Sequence, residues 1–364
     1  MTNSERPRRQ DRRLSAGSSD SRRLSGRPDR SPRPGLLVAL VVLVVVLCVL
    51  IALVMRQRDA SPAPPNLGPN PRALFEITGP GKGDAPSFVR PLSAAWAPNG
   101  DIYVSDTGNH RVCVFNPAGR FIREFGRQKS PRVGGVDAST LDQPAGIVVG
   151  PDGNVYVADV SGGAVVVFDP RGKYVRRIRP ATEGATRQRR WAPTAVSVSR
   201  NLIYATDAAG VAVFSAGGSL KYRFDSTRKG APFAYPNGIV VRSDGTLVVS
   251  DTNNGRVVAL EATGSPLWVV GPSEASRRII GLPRGLAVAN DGSVLVADAF
   301  LFGIVRISGQ GVYMEQYGGR GSSLGQFEFP NDVDVRGDLV VIADKENNRV
   351  QVVSWPGLSG GSTK

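Results

Sequence analysis

The hydrophobic positions of this chain form short apolar runs separated by turn sequences, and one stretch, residues 144–179, shows the pattern clearly. It predicts strands at 147–149, 155–159, 164–168 and 173–179, with PDG and DPRG turns between them. The first three runs are β-branched or aromatic, whereas the fourth alternates like an outer, half-exposed strand. Pro144 precedes the first run, where proline is tolerated because a strand's first residue needs no ladder donor.

This unit occurs six times. Each copy begins at a proline and has a second strand that ends in aspartate 14 or 15 residues later, and successive aspartates are 44 to 53 residues apart. A period of this length with several short strands per repeat is typical of a β-propeller. We therefore predict an all-β fold with six blades. Each aspartate can accept backbone N–H bonds across the following turn. These structural aspartates are Asp106, Asp159, Asp207, Asp251, Asp298 and Asp344.

The two ends of the repeat region predict how the ring closes. After residues 349–354 the chain continues as PGLSGGSTK, which contains no candidate fourth strand. Before blade one, residues 73–79 read ALFEITG and resemble the outer-strand segment FIREFG at 121–126. We expect residues 73–79 to supply the outer strand of blade six, which would remove the open sheet edges.

Several units resemble a known repeat. The segments YVSDTGNHRVCVFNPAGRFIREFG (103–126), VVSDTNNGRVVAL (248–260) and VVIADKENNRVQVV (340–353) are similar to NHL repeats. The resemblance covers roughly residues 72–355 and implies a six-bladed propeller, a fold that hosts both binding surfaces and enzymes. Blades three and five depart from the pattern, because Asp207 and Asp298 lack the following Asn-Arg pair.

The resemblance also implies two enzymatic alternatives. One relative is a zinc-dependent lyase that uses several histidines, but this chain has a single histidine, His110. Related lactonases bind calcium at the channel through Asn, Asp and Glu, and this chain offers candidate residues at the starts of its inner strands. Calcium prefers six or more oxygen ligands; otherwise these groups cap turns or bind water. We expect no resident cofactor, with calcium as the exception. The channel residues are Asn237, Arg284, Asn331 and Asp332.

A second decisive segment is the uncharged stretch 35–55, GLLVALVVLVVVLCVLIALVM. As a helix it would span about 31 Å, enough for a hydrocarbon core. A cleaved secretory signal is the alternative, but its apolar region is usually about 7–15 residues long and precedes a small-residue cleavage site. We predict a single-pass anchor. The preceding tail has a net charge of +6 and residues 56–71 one of +1, so the tail is expected in the cytoplasm and the propeller outside.

Composition divides the chain further. Residues 1–34 lack aromatics and are rich in Arg, Ser, Pro and Gly, so we predict a disordered tail. It contains RRLS twice, which makes Ser15 and Ser25 candidate phosphorylation sites; the alternative is a tail that only rests on anionic lipids. Residues 56–71 form a Pro-rich stalk, 72–355 the propeller and 356–364 a flexible C-terminal tail.

The propeller has a net charge of +7 once the tail and stalk are subtracted from the +14 of the whole chain. Its basic residues concentrate in the connections between blades. We expect a basic rim on one face that suits an anionic partner, although basic loops are often only solvated. The predicted basic rim consists of Arg127, Lys129, Arg132, Arg187, Arg189, Arg190, Arg228, Lys229, Arg277 and Arg278.

A second candidate surface is the apolar loop Phe300, Leu301 and Phe302, which replaces a polar turn. Exposed, it would form a contact site; folded back, it would be packing. We expect a monomeric, membrane-anchored, extracytoplasmic module that binds a protein or an anionic surface polymer, with no nucleic-acid partner. A calcium-dependent lactonase or esterase-like hydrolase and a sensor subunit of a signalling complex are the alternatives. The Arg- and Val-rich, Cys-poor composition suggests a bacterial source.

Overall fold

Six four-stranded antiparallel sheets form the described part of the chain, which in this computed structural model comprises residues 70–81, 86–127, 137–181, 191–199, 201–227, 232–271 and 279–360. The protein is a six-bladed β-propeller. The first strand is β1 (Arg72–Ile77), and blade one contains β2 (Ser93–Trp96), β3 (Ile102–Asp106), β4 (Arg111–Phe115) and β5 (Phe121–Phe125). Blade two contains β6 (Pro144–Val149), β7 (Val155–Asp159), β8 (Ala164–Phe168) and β9 (Tyr174–Ile178).

The remaining blades repeat this order from the inner to the outer strand. Blade three contains β10 (Ala195–Val198), β11 (Leu202–Asp207), β12 (Gly210–Ser215) and β13 (Leu220–Phe224). Blade four contains β14 (Pro236–Val241), β15 (Leu247–Asp251), β16 (Arg256–Leu260) and β17 (Pro266–Val270). Blade five contains β18 (Pro283–Val288), β19 (Val294–Asp298), β20 (Gly303–Ile307) and β21 (Tyr313–Gly318). Blade six contains β22 (Pro330–Arg336), β23 (Leu339–Asp344) and β24 (Arg349–Ser354).

The outer strand of blade six is β1, from the other end of the propeller. It pairs antiparallel with β24, from Arg72 opposite Ser354 to Ile77 opposite Val350, with a bulge between Ala73 and Phe75. Glu76 on β1 also forms a 2.7 Å ion pair with Arg349 on β24. The ring is thus closed by the segment that the sequence pattern indicates, beginning one residue earlier than predicted.

The hydrophobic core lies between the blades rather than within one layer. At the seam between blades six and one, Ile77, Trp96, Phe115 and Val352 pack in one buried cluster. Cys113 belongs to the same cluster, and burial raises the pKa of its thiol above the usual range. The middle strands of each blade are buried on both faces because each lies between two neighbouring blades.

Loops at one end of the ring follow the repeated aspartates and meet the segments that precede the inner strands. In blade one, the 3₁₀ helix Thr107–Asn109 ends at His110 in the left-handed conformation, with φ of 55°. The same turn in blade four is the 3₁₀ helix Thr252–Asn254, which ends at Gly255 with φ of 60°. The amide of Gly108 bonds to the Val89 carbonyl at 2.8 Å, which joins both kinds of loop. We call this end of the propeller the loop face.

Among the residues described, no helix has the length and apolar character needed to cross a membrane. The predicted anchor at 35–55, the tail with Ser15 and Ser25 and most of the stalk lie outside the described residues.

Candidate functional site: the central channel and the loop face

The inner strands surround a cavity of about 660 Å³ that runs along the propeller channel. Its lining extends from Arg90, His110 and Lys345 at the loop face to Ser197 and Asp334 further along the inner strands. This volume falls within the roughly 300–1,000 Å³ of typical small-molecule sites. The channel is therefore large enough to hold a ligand.

The position after each inner-strand proline forms a ring around this cavity, and its polarity is uneven. Blades one and two supply apolar residues and blade three a threonine, whereas blades four, five and six supply two asparagines and an arginine. In blade order the ring contains Leu92, Ala145, Thr194, Asn237, Arg284 and Asn331. Three adjacent blades thus place amide and guanidinium groups on one side of the channel.

Arg284 is the central member of this polar group. Its backbone carbonyl accepts a bond from the Ser250 hydroxyl. Within the described residues its side chain forms no ion pair, and its Nε is buried without a hydrogen-bond partner. Removal from solvent lowers the pKa of the guanidinium from its usual value. A cation withdrawn from water is costly unless an anion pairs with it, so Arg284 is an unsatisfied group facing an open cavity.

Its neighbours in the ring are amides. The Asn331 Nδ2 donates to the Leu92 carbonyl at 2.7 Å, which ties blade six to blade one and fixes the orientation of this side chain. Asn237 lines the cavity and is half-buried. These amides could provide neutral polar contacts on either side of the guanidinium.

The residue that directly follows the ring residue is small in five blades, but in blade six it is Asp332. Its carboxylate accepts bonds from the Ser93 hydroxyl and from the Ala94 amide of blade one. A Cβ on Gly285 would lie only 1.7 Å from an Asp332 oxygen, so the blade-five residue must be glycine. Removal from bulk solvent, reinforced by Asp334, raises the pKa of Asp332 to about 8. Asp332 is consequently neutral over most of the range around pH 7.

Asp334, two residues further along β22, was not among the predicted site residues. It accepts bonds at 2.8 Å from the backbone amides of Trp96 and Val335. Burial raises the pKa of its carboxyl to about 6. Aligning the six inner strands would have identified Asp334, because it is an acid in a column otherwise made of alanine, valine and serine.

Elsewhere in the ring, serine hydroxyl groups accept the hydrogen bonds that link neighbouring inner strands. Ser93 accepts from the Ile147 amide at 3.1 Å, and Ser197 accepts from the Val241 amide at 3.1 Å. Asp332 and Asp334 make the corresponding contacts between blades six and one. They therefore fasten the seam where the ring closes, and the Ser93 hydroxyl connects three blades because it also donates to Asp332.

The repeated aspartates organise the loops around the cavity mouth. Asp106 accepts from the Val89 amide at 2.9 Å, from Asn109 Nδ2 at 2.8 Å and from Arg111 Nε at 2.7 Å. Blades four and six repeat this arrangement with their own amide, asparagine and arginine; the residues are Ala234, Asp251, Asn254 and Arg256, and Glu328, Asp344, Asn347 and Arg349. These aspartates have a structural role, joining the loops on both sides of each inner strand.

The other three aspartates use different partners. Asp159 accepts from the amides of Asp142 and Gln143, at 3.0 and 2.8 Å. Asp207 pairs at 2.6 Å with Arg223 from the outer strand of its blade. Asp298 accepts only backbone amides among the bonds described, at 2.7 to 3.1 Å, from Gly281, Leu282, Phe300 and Leu301. Backbone donors thus replace the missing Asn-Arg pair in blade five.

The apolar loop contributes to an aromatic cluster on the loop face. Phe300 is 58% exposed, whereas Leu301 and Phe302 are half-buried. The Phe302 ring lies 5.5 Å from the ring of Phe329, and Phe300 lies 6.4 Å from it. The Arg320 guanidinium lies 5.1 Å from the centre of the Phe302 ring. One residue of the loop is therefore exposed, and two pack against neighbours.

The structure describes little of the basic rim. Arg127 is exposed and lies 3.9 Å from Glu124. The other nine predicted rim residues lie outside the described residues, namely Lys129, Arg132, Arg187, Arg189, Arg190, Arg228, Lys229, Arg277 and Arg278.

His110 is exposed at the cavity mouth, where Nδ1 contacts the Asp142 carbonyl. No group of three or more His, Cys, Asp or Glu residues suited to a metal ion occurs among the residues described.

Comparison with known proteins identifies the repeat from which the propeller is built. The NHL repeat model matches residues 88–115, 141–168, 233–260 and 327–353, which are blades one, two, four and six. The protein is therefore a six-bladed propeller with NHL repeats, and the matched segments leave out blades three and five, whose loops depart from the pattern. A search of curated proteins found no match.

Solved structures show the same fold at low sequence identity. Virginiamycin B lyase from Staphylococcus aureus is 14% identical, with a TM-score of 0.50, over 72% of this chain and 80% of the lyase chain. A protein of unknown function from Bacteroides thetaiotaomicron is 15% identical, with a TM-score of 0.59, over 78% and 75%. A gluconolactonase from Xanthomonas campestris is 16% identical, with a TM-score of 0.55, over 79% and 95%.

Proposed function

We propose that this protein is a membrane-anchored, extracytoplasmic recognition module that binds a protein or an anionic surface polymer at the loop face. The observation that carries the proposal is the cavity opening between cationic side chains and exposed aromatic rings. Arg90 and Lys345 border the opening, and Tyr235 and Phe300 are exposed on the same face at 40% and 58%. Aromatic and arginine side chains are enriched in the energetically important parts of interfaces.

Charge supports an anionic partner. The propeller has a net charge of +7, and the predicted basic rim would add to the cations at the cavity mouth. Glu346 offsets part of this charge, because it pairs with Arg90 at 3.2 Å and Lys345 at 2.8 Å. An electrostatic interaction with exposed cations would weaken with salt, since such charges are screened within about 8–10 Å at physiological ionic strength.

The experiment uses the full-length chain to recover partners from solubilised membranes and cell-surface polymers. Each partner is then tested against two variants, one reversing the charge of five rim residues and one combining Phe300→Ser with Phe302→Ser. Strong loss in the charge variant and in high salt supports the anionic partner, whereas loss only in the phenylalanine variant supports an apolar contact. Recovery that neither variant alters contradicts recognition through this face. The charge reversals are at Arg187, Arg189, Arg190, Arg277 and Arg278.

Topology needs its own experiment. If residues 35–55 form an uncleaved anchor with the tail inside, protease added to intact cells should degrade the propeller and leave the tail protected. Protection of the propeller with digestion of the tail would invert the proposed orientation. Recovery of a mature chain starting after residue 55 would support a cleaved signal.

A hydrolase is the second candidate. The similar fold of a gluconolactonase favours it, as do Asn237, Asn331 and Asp332 around the cavity. Calcium titration by calorimetry followed by a panel of lactones tests this candidate; heat and turnover, both lost in Asp332→Asn, would support it. If neither binding heat nor turnover is observed, the hydrolase candidate is excluded and the recognition module remains. A sensor subunit would use the same loop face and signal through a separate partner.

A further inference from the structure

The cations around the channel differ in whether the protein already neutralises them. Arg90 and Lys345 at the mouth both pair with Glu346. The Arg284 side chain lacks such an anion within the described residues, and its Nε is buried without a partner. The nearby acid Asp332 is engaged by Ser93 and Ala94, and its raised pKa of about 8 leaves it largely neutral at pH 7. The positive charge of Arg284 is therefore left for a group that enters the cavity.

The cavity wall beyond Arg284 is mixed, because aliphatic side chains line it together with Ser197 and Asp334. Leu92, Ala145 and Thr194 complete the ring, two of them apolar and one carrying a hydroxyl. Two positions after each ring residue, the inner strand contributes an aliphatic side chain to the cavity lining in all six blades. These residues are Ala94, Ile147, Val196, Ile239, Leu286 and Val333. A ligand in contact with Arg284 would have an apolar portion against these walls, because sites of this size are mostly apolar with a few orienting polar groups.

We propose that the channel binds a small organic carboxylate, with its charged group paired to Arg284 between Asn237 and Asn331 and its apolar body along the aliphatic wall. The guanidinium supplies a planar set of donors that matches a carboxylate. The amide groups can donate to the same oxygens. This inference goes beyond the proposed recognition at the loop face, because it identifies the kind of ligand that the channel itself admits.

The experiment compares two probes of nearly equal shape, 3-phenylpropionate and its neutral amide, by calorimetry on the purified full-length chain. We expect the acid to bind at least about tenfold more tightly, because hydrogen bonds to a charged group contribute about 1.5–3 kcal/mol. Acetate, which keeps the charge without the body, should bind more weakly than the aryl acid. Equal affinity for acid and amide, or acetate as good as the aryl acid, overturns the proposal.

Substitutions of Arg284 test whether this residue binds the carboxylate. Arg284→Gln should remove the preference for the acid, and Arg284→Lys should keep part of it because the positive charge remains. Arg171→Gln is the matched control: it removes an exposed arginine from the turn between β8 and β9, away from the loop face, and should leave both affinities unchanged. Loss of an unpaired cation should not weaken folding, so near-UV circular dichroism and the melting temperature should be retained. Full acid binding by Arg284→Gln, or no acid binding by the wild-type chain at millimolar concentration, refutes the site.

Capture of macromolecules by the same variants separates this inference from the broader proposal. If the wild-type chain captures a partner at the loop face but does not bind the acid, the channel site is wrong and surface recognition stands. If the acid binds through Arg284 but no partner depends on the loop face, the channel site stands and the macromolecular role fails.

Discussion

Substitution of Asp106 by asparagine should be among the most destabilising single changes in the propeller. Asp106 is buried and accepts three bonds, and its partner Arg111 has a side chain with 0% exposure. Asparagine could keep a bond from the Val89 amide but would leave the buried guanidinium without its full charge partner. Removing one member of a buried ion pair costs about 3–5 kcal/mol. Glu124 also pairs with Arg111, which places the expected loss near 3 kcal/mol.

A matched substitution exists in blade three, where the same aspartate has a more accessible partner. Asp207 pairs with Arg223, whose side chain is 35% exposed. When the carboxylate is removed, this arginine can regain water, so the lost pair is expected to contribute about 1 kcal/mol or less. Asp106→Asn should therefore reduce the free energy of unfolding by roughly 2 kcal/mol more than Asp207→Asn does.

Urea unfolding of the full-length chain at pH 7 measures the difference, with fluorescence and circular dichroism compared to test for a single transition. A third variant combines Asp106→Asn with Arg111→Met and removes the stranded charge. It should be more stable than Asp106→Asn alone. Equal losses for the two single aspartate variants, or a combined variant no better than Asp106→Asn, would refute the buried-charge explanation.

Three further predictions test closure, packing and pH dependence. A chain starting at residue 82 lacks β1 and leaves β24 as an open edge, so it should aggregate or melt well below a chain starting at residue 60; equal melting temperatures would contradict closure by β1. Gly285→Ala should lower the melting temperature because its Cβ would lie 1.7 Å from Asp332 Oδ1, whereas Gly319→Ala, with nothing within 4 Å, should be neutral. The pKa of Asp332 is about 8 in the folded protein and about 3.9 in an unfolded chain, so the folded state binds the proton more tightly and stability should fall as pH rises between these values. Asp332→Asn should reduce this slope in unfolding titrations, and an unchanged slope would contradict the shift.

The repeat pattern was sufficient to predict the blades because buried strands and turns leave strong local signals. In blade two, the predicted strands 155–159 and 164–168 coincide with β7 and β8. The first strand begins at Pro144, three residues earlier than predicted, and the outer strand is two residues shorter. Boundaries shift because pairing with the neighbouring strand, rather than hydrophobicity, decides where a strand begins and ends.

The channel was less predictable because its properties arise from residues that are distant in sequence. Arg284 and Asp332 stood out as polar residues at the starts of inner strands, but their partners could not be deduced. The bond from Ser93 to Asp332 joins residues 239 positions apart. Asp334 resembles an outward-facing residue of an alternating strand, and only the closed ring places it against the Trp96 amide.

Closure by β1 also sets a time order for folding. Glu76 and Arg349 are 273 residues apart, so the strand that completes blade six is synthesised long before its partner. At about 5–20 residues per second, this separation corresponds to roughly 15–55 s of synthesis. Contacts of such long range form slowly even in a complete chain, because a large loop must close first. During that interval β1 lacks its native partner, and the five blades between the two segments can assemble before the ring does. Synthesis of β24, rather than formation of any one blade, is then the step that commits this propeller to its closed form.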